Sequence, residues 1–173
     1  MNNRIIKTLI IFLILVGFTK NISADETKPS DSHQFNFFSG VFDINTSSKK
    51  SSELFGIQHS NEDLFRDTFL GKLSPITGLM MTADSSSYFY TGVQVEYKIG
   101  KLNLVPSFAP GLYTMGDGKD LGSPLEFKSE LQVSIDILPG TKLGYSQSHL
   151  SNAGIEDKNP GADSYMFNFM KSF

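Results

Sequence analysis

Residues 125–137 read Leu-Glu-Phe-Lys-Ser-Glu-Leu-Gln-Val-Ser-Ile-Asp-Ile. Bulky apolar side chains occupy every second position apart from Ser129, and polar or charged side chains occupy the positions between them. A two-residue period is that of a β-strand with one apolar and one polar face. The segment therefore predicts a long strand whose two faces have opposite surroundings.

The same alternation recurs along the chain in segments of about ten residues that are separated by turn residues. No helical period and no tandem repeat interrupts this pattern, so the sequence predicts an all-β fold. The predicted strands are 35–44, 52–60, 70–83, 87–99, 102–115, 124–138, 141–151 and 164–173.

Alternation alone also fits a soluble β-sandwich or a lipocalin-like barrel, in which the apolar face points inward. Three features favour a membrane barrel with its apolar face outward. The strand number is even, and from the middle of the chain tight turns at 100–101 and 139–140 alternate with longer connections at 116–123 and 152–163. The last segment, 165–173, alternates aromatic residues up to a final Phe and resembles the terminal signal of outer-membrane barrels.

We therefore predict that residues 35–173 form an eight-stranded antiparallel transmembrane β-barrel of the bacterial outer membrane. Charged residues of the polar face then fill a narrow lumen as pairs, since a barrel of this size has room for side chains but not for a pore. These residues are Glu96, Lys98, Glu126, Lys128, Glu130 and Asp136.

The N-terminus has the pattern of a secretory signal peptide. Arg4 and Lys7 precede an almost wholly apolar run at 9–18, and small residues lead to Ala24. We predict cleavage after Ala24, which removes residues 1–24 and leaves 25–34 as a flexible start of the mature chain. Cleavage takes away three cations and no acids, so the formal net charge goes from −3 to −6.

This acidic balance argues against nucleic acid as a partner. The chain has no cysteine, so disulfides cannot stabilise it after export, and a large core or closure in a membrane must do so. No ligand pattern for zinc or an iron–sulfur cluster is present, and we predict no cofactor and no metal.

One segment carries residue types that hydrolytic chemistry needs. His149-Leu-Ser151-Asn152-Ala-Gly ends one predicted strand, and Asn-Pro-Gly-Ala-Asp163 begins the next. A base, a nucleophile, an oxyanion donor and an acid that orients the base are the parts of a serine ester hydrolase. Strand parity places His149, Ser151 and Asp163 on the lipid-facing side near one rim. Ordinary turn chemistry also accounts for Asn-Ala-Gly and Asn-Pro-Gly.

This motif is similar to that of the PagL-type lipid A 3-O-deacylases, also called acyloxyacyl hydrolases. The similarity comprises His-x-Ser-Asn-Ala-Gly at 149–154, Asn-Pro-Gly-x-Asp at 159–163 and the segment 120–128. It is specific over roughly the last fifty residues and loose elsewhere. The resemblance implies an eight-stranded outer-membrane barrel that hydrolyses the 3-position ester of lipid A without a metal.

The resemblance also implies a role for each matching residue. Ser151 is then the nucleophile, His149 the general base, Asn152 an oxyanion donor and Asp163 the acid that orients His149. The family usually has Glu where this chain has Asp163, one methylene shorter. Glu156 and Asp157 in the loop are therefore alternative acids.

The expected partners are lipopolysaccharide (lipid A) as substrate and the outer membrane, with the site facing the outer leaflet. A homodimer is compatible with the sequence. The alternatives are a non-catalytic outer-membrane barrel that serves as an adhesin or structural surface protein, and a soluble periplasmic lipocalin-like binder.

Overall fold

A computed structural model describes residues 32–44 and 51–173. These residues contain ten strands and no helix long and apolar enough to cross a membrane. The predicted signal peptide, 1–24, lies outside the described residues, as does 25–31 of the predicted flexible segment. The strands are β1 (His33–Phe42), β2 (Ser52–Asn61), β3 (Arg66–Thr68), β4 (Gly71–Thr82), β5 (Ser87–Val95), β6 (Tyr97–Ile99), β7 (Leu102–Thr114), β8 (Leu125–Leu138), β9 (Thr141–Ser151) and β10 (Ala162–Ser172).

The strands close into a barrel with an antiparallel wall. Their order around the wall is β2-β1-β10-β9-β8-β7-β5-β4, and β4 pairs with β2 to complete the ring. β6 continues β5 against the same neighbour, β7, and β3 is a three-residue extension that pairs with the start of β4. The wall therefore has eight strands, as the sequence predicts, and closure removes the unpaired edges that an open sheet would expose to lipid.

The strand ends lie within two residues of the predicted ones, and two differences affect the wall. β1 begins at His33, because His33 and Gln34 pair with Asn61 and Ser60, so both residues belong to the wall and not to the segment 25–34 that the sequence predicts to be flexible.

The predicted strand 87–99 is interrupted at Glu96. Pairing between β5–β6 and β7 skips the positions that face Pro110 and Pro106, which have no N–H to donate to the ladder.

The two faces of the wall have the orientation that the alternation predicts. In β8, Leu131, Val133 and Ile135 point outward and are 41–49 % exposed, whereas Lys128 and Gln132 point inward and are buried. An apolar surface that extends around a wall is stable in lipid and not in water. This outward apolar face excludes the lipocalin-like alternative, in which the lumen would be apolar and the exterior polar.

The lumen is filled by side chains. One half holds a cluster of buried aromatic and aliphatic residues that includes Phe38, Phe42 and Tyr90. Lys128 lies beside this cluster, 3.9 Å from the centre of the Tyr90 ring and 2.8 Å from Glu130. Most of the predicted lumen charges are therefore paired, and Glu96 pairs with Lys142, a residue outside the predicted set, at 2.6 Å. Glu126 differs from the prediction, because it is fully buried and has no ion-pair partner among the described residues.

The two ends of the barrel have different connections. We call the end with residues 62–70, 100–101 and 139–140 the turn rim, and both His33 and Ser172 lie there. We call the opposite end, with 83–86, 115–124 and 152–161, the loop rim. The candidate site is at the loop rim.

Candidate functional site

His149 and Asp163 face each other across the β9–β10 hairpin. The register pairs the two residues directly, and both side chains point outward. As a result, His149 Nδ1 lies 2.8 Å from Asp163 Oδ1, and the two side chains are 52 % and 29 % exposed. The structure thus brings together the predicted base and the predicted acid at the lipid-facing edge of the loop rim.

The hydrogen bond between them sets the tautomer of the imidazole. An ionised carboxylate can only accept, so His149 Nδ1 is the donor to Asp163. In the neutral ring, Nε2 then carries the lone pair and can accept a proton from a hydroxyl. This is the arrangement that a general base needs.

Ser151 is the last residue of β9 and shares the outward face with His149. Strand geometry separates their α-carbons by about 7 Å. The hydrogen bonds of the described residues include none between Ser151 Oγ and His149. Nucleophile–base contacts are often loose without substrate, so the placement is compatible with a Ser–His pair.

Gly161 packs closely against the imidazole ring of His149. Its φ is +63°, and a Cβ atom there would lie 2.8 Å from His149 Cε1. Only glycine combines this backbone conformation with such close packing of a ring. Gly161 belongs to the Asn-Pro-Gly sequence at 159–161, which the sequence analysis assigns both to the family motif and to ordinary turn chemistry.

Asn152 is fully buried in the turn that follows Ser151. Its Nδ2 donates to the carbonyl oxygens of Lys158 (2.8 Å) and Leu121 (3.2 Å), and its Oδ1 accepts from the Gly154 N–H at 3.0 Å. Both N–H bonds of the amide are therefore used within the protein. This differs from the predicted oxyanion role, which requires an amide that faces the reacting carbonyl. The contacts make Asn152 a residue that holds the turn together.

Asn159 contacts the backbone beside Ser151, a role that the sequence does not predict. Its Oδ1 accepts from the backbone N–H of Asn152 at 3.1 Å, which fixes the amide against the residue next to Ser151. Its Nδ2 has no partner among the hydrogen bonds of residues 32–44 and 51–173. The signal for this role was the Asn of the Asn-Pro-Gly motif.

The two alternative acids, Glu156 and Asp157, are exposed in the loop. In the part of the chain that the structure describes, neither is hydrogen-bonded to His149, whose carboxylate partner is Asp163. No group of three or more described His, Asp or Glu residues is arranged to hold a metal ion.

Aromatic rings line the wall directly below the site. Tyr145 and Tyr165 stack with ring centres 5.9 Å apart, and Phe167 meets Tyr145 edge-on at 5.5 Å. Below them a groove of about 360 Å³ lies between outward side chains that include Phe37, Leu143 and Phe169. The surface next to the polar site is therefore apolar, as contact with acyl chains requires.

The sequence matches one family model over most of its length. The model describes the lipid A 3-O-deacylase (PagL) family, and it matches residues 43–172. No curated protein matches the sequence.

Solved structures share the barrel at low sequence identity. The crystal structure of the outer membrane enzyme PagL is 17 % identical and has a TM-score of 0.63, covering 81 % of this chain and 99 % of that chain. A structure from the de novo design of transmembrane β-barrels (12 %, TM-score 0.55) covers 86 % of this chain and all of its own. The Yersinia pestis outer membrane protein Ail, in a phospholipid bilayer nanodisc, follows at 11 % and 0.50, covering 83 % and 100 %. These likenesses confirm the predicted fold class.

Proposed function

The chain belongs to the PagL family of lipid A 3-O-deacylases, and we propose that it hydrolyses the acyl ester at the 3-position of lipid A. The observation that carries this proposal is the His149–Asp163 hydrogen bond of 2.8 Å, beside Ser151, on the lipid-facing wall. A site that opens sideways into a leaflet can reach an ester bond without extracting the lipid. The apolar surface below it suits the acyl chain.

The proposed reaction is acyl transfer through serine. Ser151 Oγ attacks the ester carbonyl carbon while His149 Nε2 takes the hydroxyl proton, and Asp163 stabilises the imidazolium that forms. The tetrahedral intermediate collapses as His149 returns the proton to the sugar oxygen, which leaves as a hydroxyl. Water, deprotonated by His149, then attacks the acyl-enzyme carbonyl carbon. The intermediate collapses to release the fatty acid as His149 returns the proton to Ser151 Oγ.

The developing oxyanion needs donors that are fixed before the reaction begins. We assign Asn159 Nδ2 to this role in place of Asn152, because the Asn159 amide is anchored by its oxygen and its nitrogen is unused among the described hydrogen bonds. Asn152 supports the reaction indirectly, through the turn that its side chain ties together.

The position of the wall ends supports an orientation of the protein in the membrane. β1 begins and β10 ends at the turn rim, and in bacterial outer-membrane barrels the termini and the short turns lie on the periplasmic side. The loop rim, with His149 and Ser151, then lies at the outer leaflet, where lipopolysaccharide resides. Export depends on residues 1–24 as a signal peptide, cleaved after Ala24.

Lipid A mass spectrometry tests the proposal. The full chain is expressed in a Gram-negative host whose lipid A carries a 3-linked hydroxyacyl chain, with Ser151→Ala as the matched control. We expect loss of the mass of that chain with the wild-type protein and none with the variant. Retarded mobility on heating in SDS gels shows that both barrels are folded.

Two results would count against the proposal. Unchanged lipid A beside a folded wild-type barrel would favour the non-catalytic surface protein. Full deacylation by Ser151→Ala would leave the family assignment in place but overturn the serine mechanism.

A further inference from the structure

The loop 115–124, between β7 and β8, packs against the turn that follows Ser151. Asn152 Nδ2 donates at once to Leu121 O in that loop (3.2 Å) and to Lys158 O in its own turn (2.8 Å). On the surface, Lys158 Nζ contacts Asp120 Oδ2 at 2.5 Å. One buried amide and one exposed ion pair therefore join the loop to the turn.

Gly122 brings the two backbones into direct contact. Its φ is +93°, and a Cβ atom there would overlap the carbonyl oxygen of Lys158. Asp120 Oδ1 accepts the Gly122 N–H at 2.9 Å and so holds this conformation. A side chain at Gly122 would have to push the 152–161 turn away from the loop.

The loop is itself anchored to the barrel. Lys119 Nζ contacts Asp43 Oδ1 at 2.7 Å, with both side chains largely buried, and Tyr113 OH donates to Lys119 O at 2.7 Å. Leu121 is 1 % exposed, in the lumen cluster. The loop therefore has a fixed position from which it can hold other groups.

The same anchor reaches the acid of the site. Asp43 is followed by Ile44, whose N–H donates to the carbonyl oxygen of Asp163 at 3.0 Å. Loop 115–124 therefore contacts the turn after Ser151 directly. It also binds Asp43, and the next residue, Ile44, holds the Asp163 backbone.

From these contacts we propose that loop 115–124 is a positioning element for the catalytic turn, with Gly122 and the Asp120–Lys158 pair as its positioning residues. The inference rests on the proposed function, because it concerns the same site. None of these residues needs to touch substrate. A displacement of about 1 Å in a catalytic group can cost about 100-fold in rate, so a loop that fixes the turn fixes kcat.

The ion pair is suited to positioning rather than to stability. Both side chains are more than half exposed, and exposed pairs contribute little to the free energy of folding. Hydrogen bonds from the Lys158 ammonium and the Gly122 N–H lower the pKa of Asp120, so the pair stays charged at neutral pH.

Gly122→Ala tests the proposal, and Gly100→Ala is its matched control. Gly100 also has a positive φ, +64°, but it lies at the turn rim and its Cβ would meet no atom within 4 Å. With the purified full-length variants acting on lipid A in detergent micelles, we expect Gly122→Ala to lower kcat by about ten- to 100-fold with little change in KM. Gly100→Ala should match wild type.

Hydrogen–deuterium exchange gives a readout that does not depend on activity. We expect faster exchange of the 152–161 amides in Gly122→Ala and wild-type exchange there in Gly100→Ala. Equal exchange and equal kcat in the two variants would overturn the positioning role. An inactive wild-type protein would instead overturn the proposed function, and the exchange result would still decide whether the loop holds the turn.

Charge exchange tests the same link without a glycine substitution, should Gly122→Ala fail to fold. Asp120→Lys and Lys158→Asp should each lower kcat severalfold. The double exchange should restore part of the loss by re-forming the pair, although the hydrogen bond from the Gly122 N–H to Asp120 stays lost. Single variants with wild-type kcat, or a double variant no better than the singles, would contradict the role of this pair.

Discussion

The three histidines of this chain all belong to hydrogen-bonded pairs on the outer wall, one pair at each rim. At the loop rim His149 bonds to Asp163 at 2.8 Å. At the turn rim His33 Nδ1 bonds to His59 Nε2 at 3.0 Å, beside the ring of Phe35. Both pairs join adjacent strands and face the surroundings of the barrel, so position and hydrogen bonding alone do not make a site.

The partners and neighbours make the difference. A carboxylate accepts from imidazole and stabilises the imidazolium, whereas a second imidazole adds no negative charge. Ser151 lies two positions along the strand from His149, on the same face. The corresponding neighbours of His59 are Ile57 and Asn61. The loop rim also supplies a tight turn with fixed amides. The comparison predicts chemistry at one rim and none at the other.

The largest expected effect separates the two pairs. His149→Ala should lower the rate of 3-O-deacylation by about 10⁴-fold or more, because serine at its ordinary pKa is a poor nucleophile without a base. His59→Ala should leave the rate within about threefold of wild type. Deacylation rates of the folded variants measure both. Comparable losses in the two would remove the distinction between the rims.

The acid of the loop-rim pair gives the next effect. Asp163→Asn should lower kcat by about 10²- to 10⁴-fold, since the amide stabilises neither the tautomer nor the imidazolium. Asp163→Glu should retain part of the activity, because it keeps the charge at a reach longer by one methylene. If Asp163→Asn is fully active and Glu156→Gln is inactive, the acid that orients His149 is Glu156 in the loop and not Asp163.

An asparagine at each rim holds a backbone N–H, and only one should matter for rate. Asn159→Ala should lower kcat by about 10²- to 10³-fold, the usual cost of losing one oxyanion donor. Asn61, whose Oδ1 accepts the Asp63 N–H at 2.9 Å at the turn rim, is the matched control. Asn61→Ala with the same loss in kcat would show that Asn159 acts on folding alone.

The smallest effect concerns stability at the turn rim. Burial, and secondly the nearby Glu96 charge, raises the pKa of Glu62 above its ordinary 4.5. Folding therefore favours the protonated form of Glu62. The contribution of Glu62 to the free energy of unfolding falls as pH rises from about 4.5 through the raised pKa, and it stays constant above that pKa. Glu62→Gln should raise the urea midpoint slightly at pH 7.5, should not raise it near pH 4, and should leave deacylation unchanged. An equal rise at both pH values would show that ionisation of Glu62 is not the cause.

Much of the wall could be predicted because each strand carries its own signal. The alternation in 125–137 gives both the strand and its outward face, and the 139–140 turn fixes the register of its neighbour. The hairpin between β9 and β10 likewise brings His149 opposite Asp163. The interruption at Glu96 was missed because its cause, Pro106, lies on the neighbouring strand.

The contacts that hold the site in place could not be predicted from residues 149–163 alone. The position of Asn152 depends on a carbonyl oxygen at Leu121, 31 residues earlier in the chain, and its burial follows from that contact. The role of Gly122 depends on its contact with Lys158, and no local sequence pattern indicates that contact. Side-chain roles that depend on packing between loops emerge only when the barrel closes and its rim is assembled.

The outward direction of His149 has a consequence for how the protein meets a lipid. A reactive face that opens into a leaflet receives its lipid by lateral diffusion, so supply is measured as molecules per unit area of leaflet and not as a bulk concentration. Diluting the lipid with inert amphiphile at constant total amount should then slow the reaction, while diluting whole vesicles in buffer should not. The saturation behaviour of such an enzyme is properly expressed as a mole fraction.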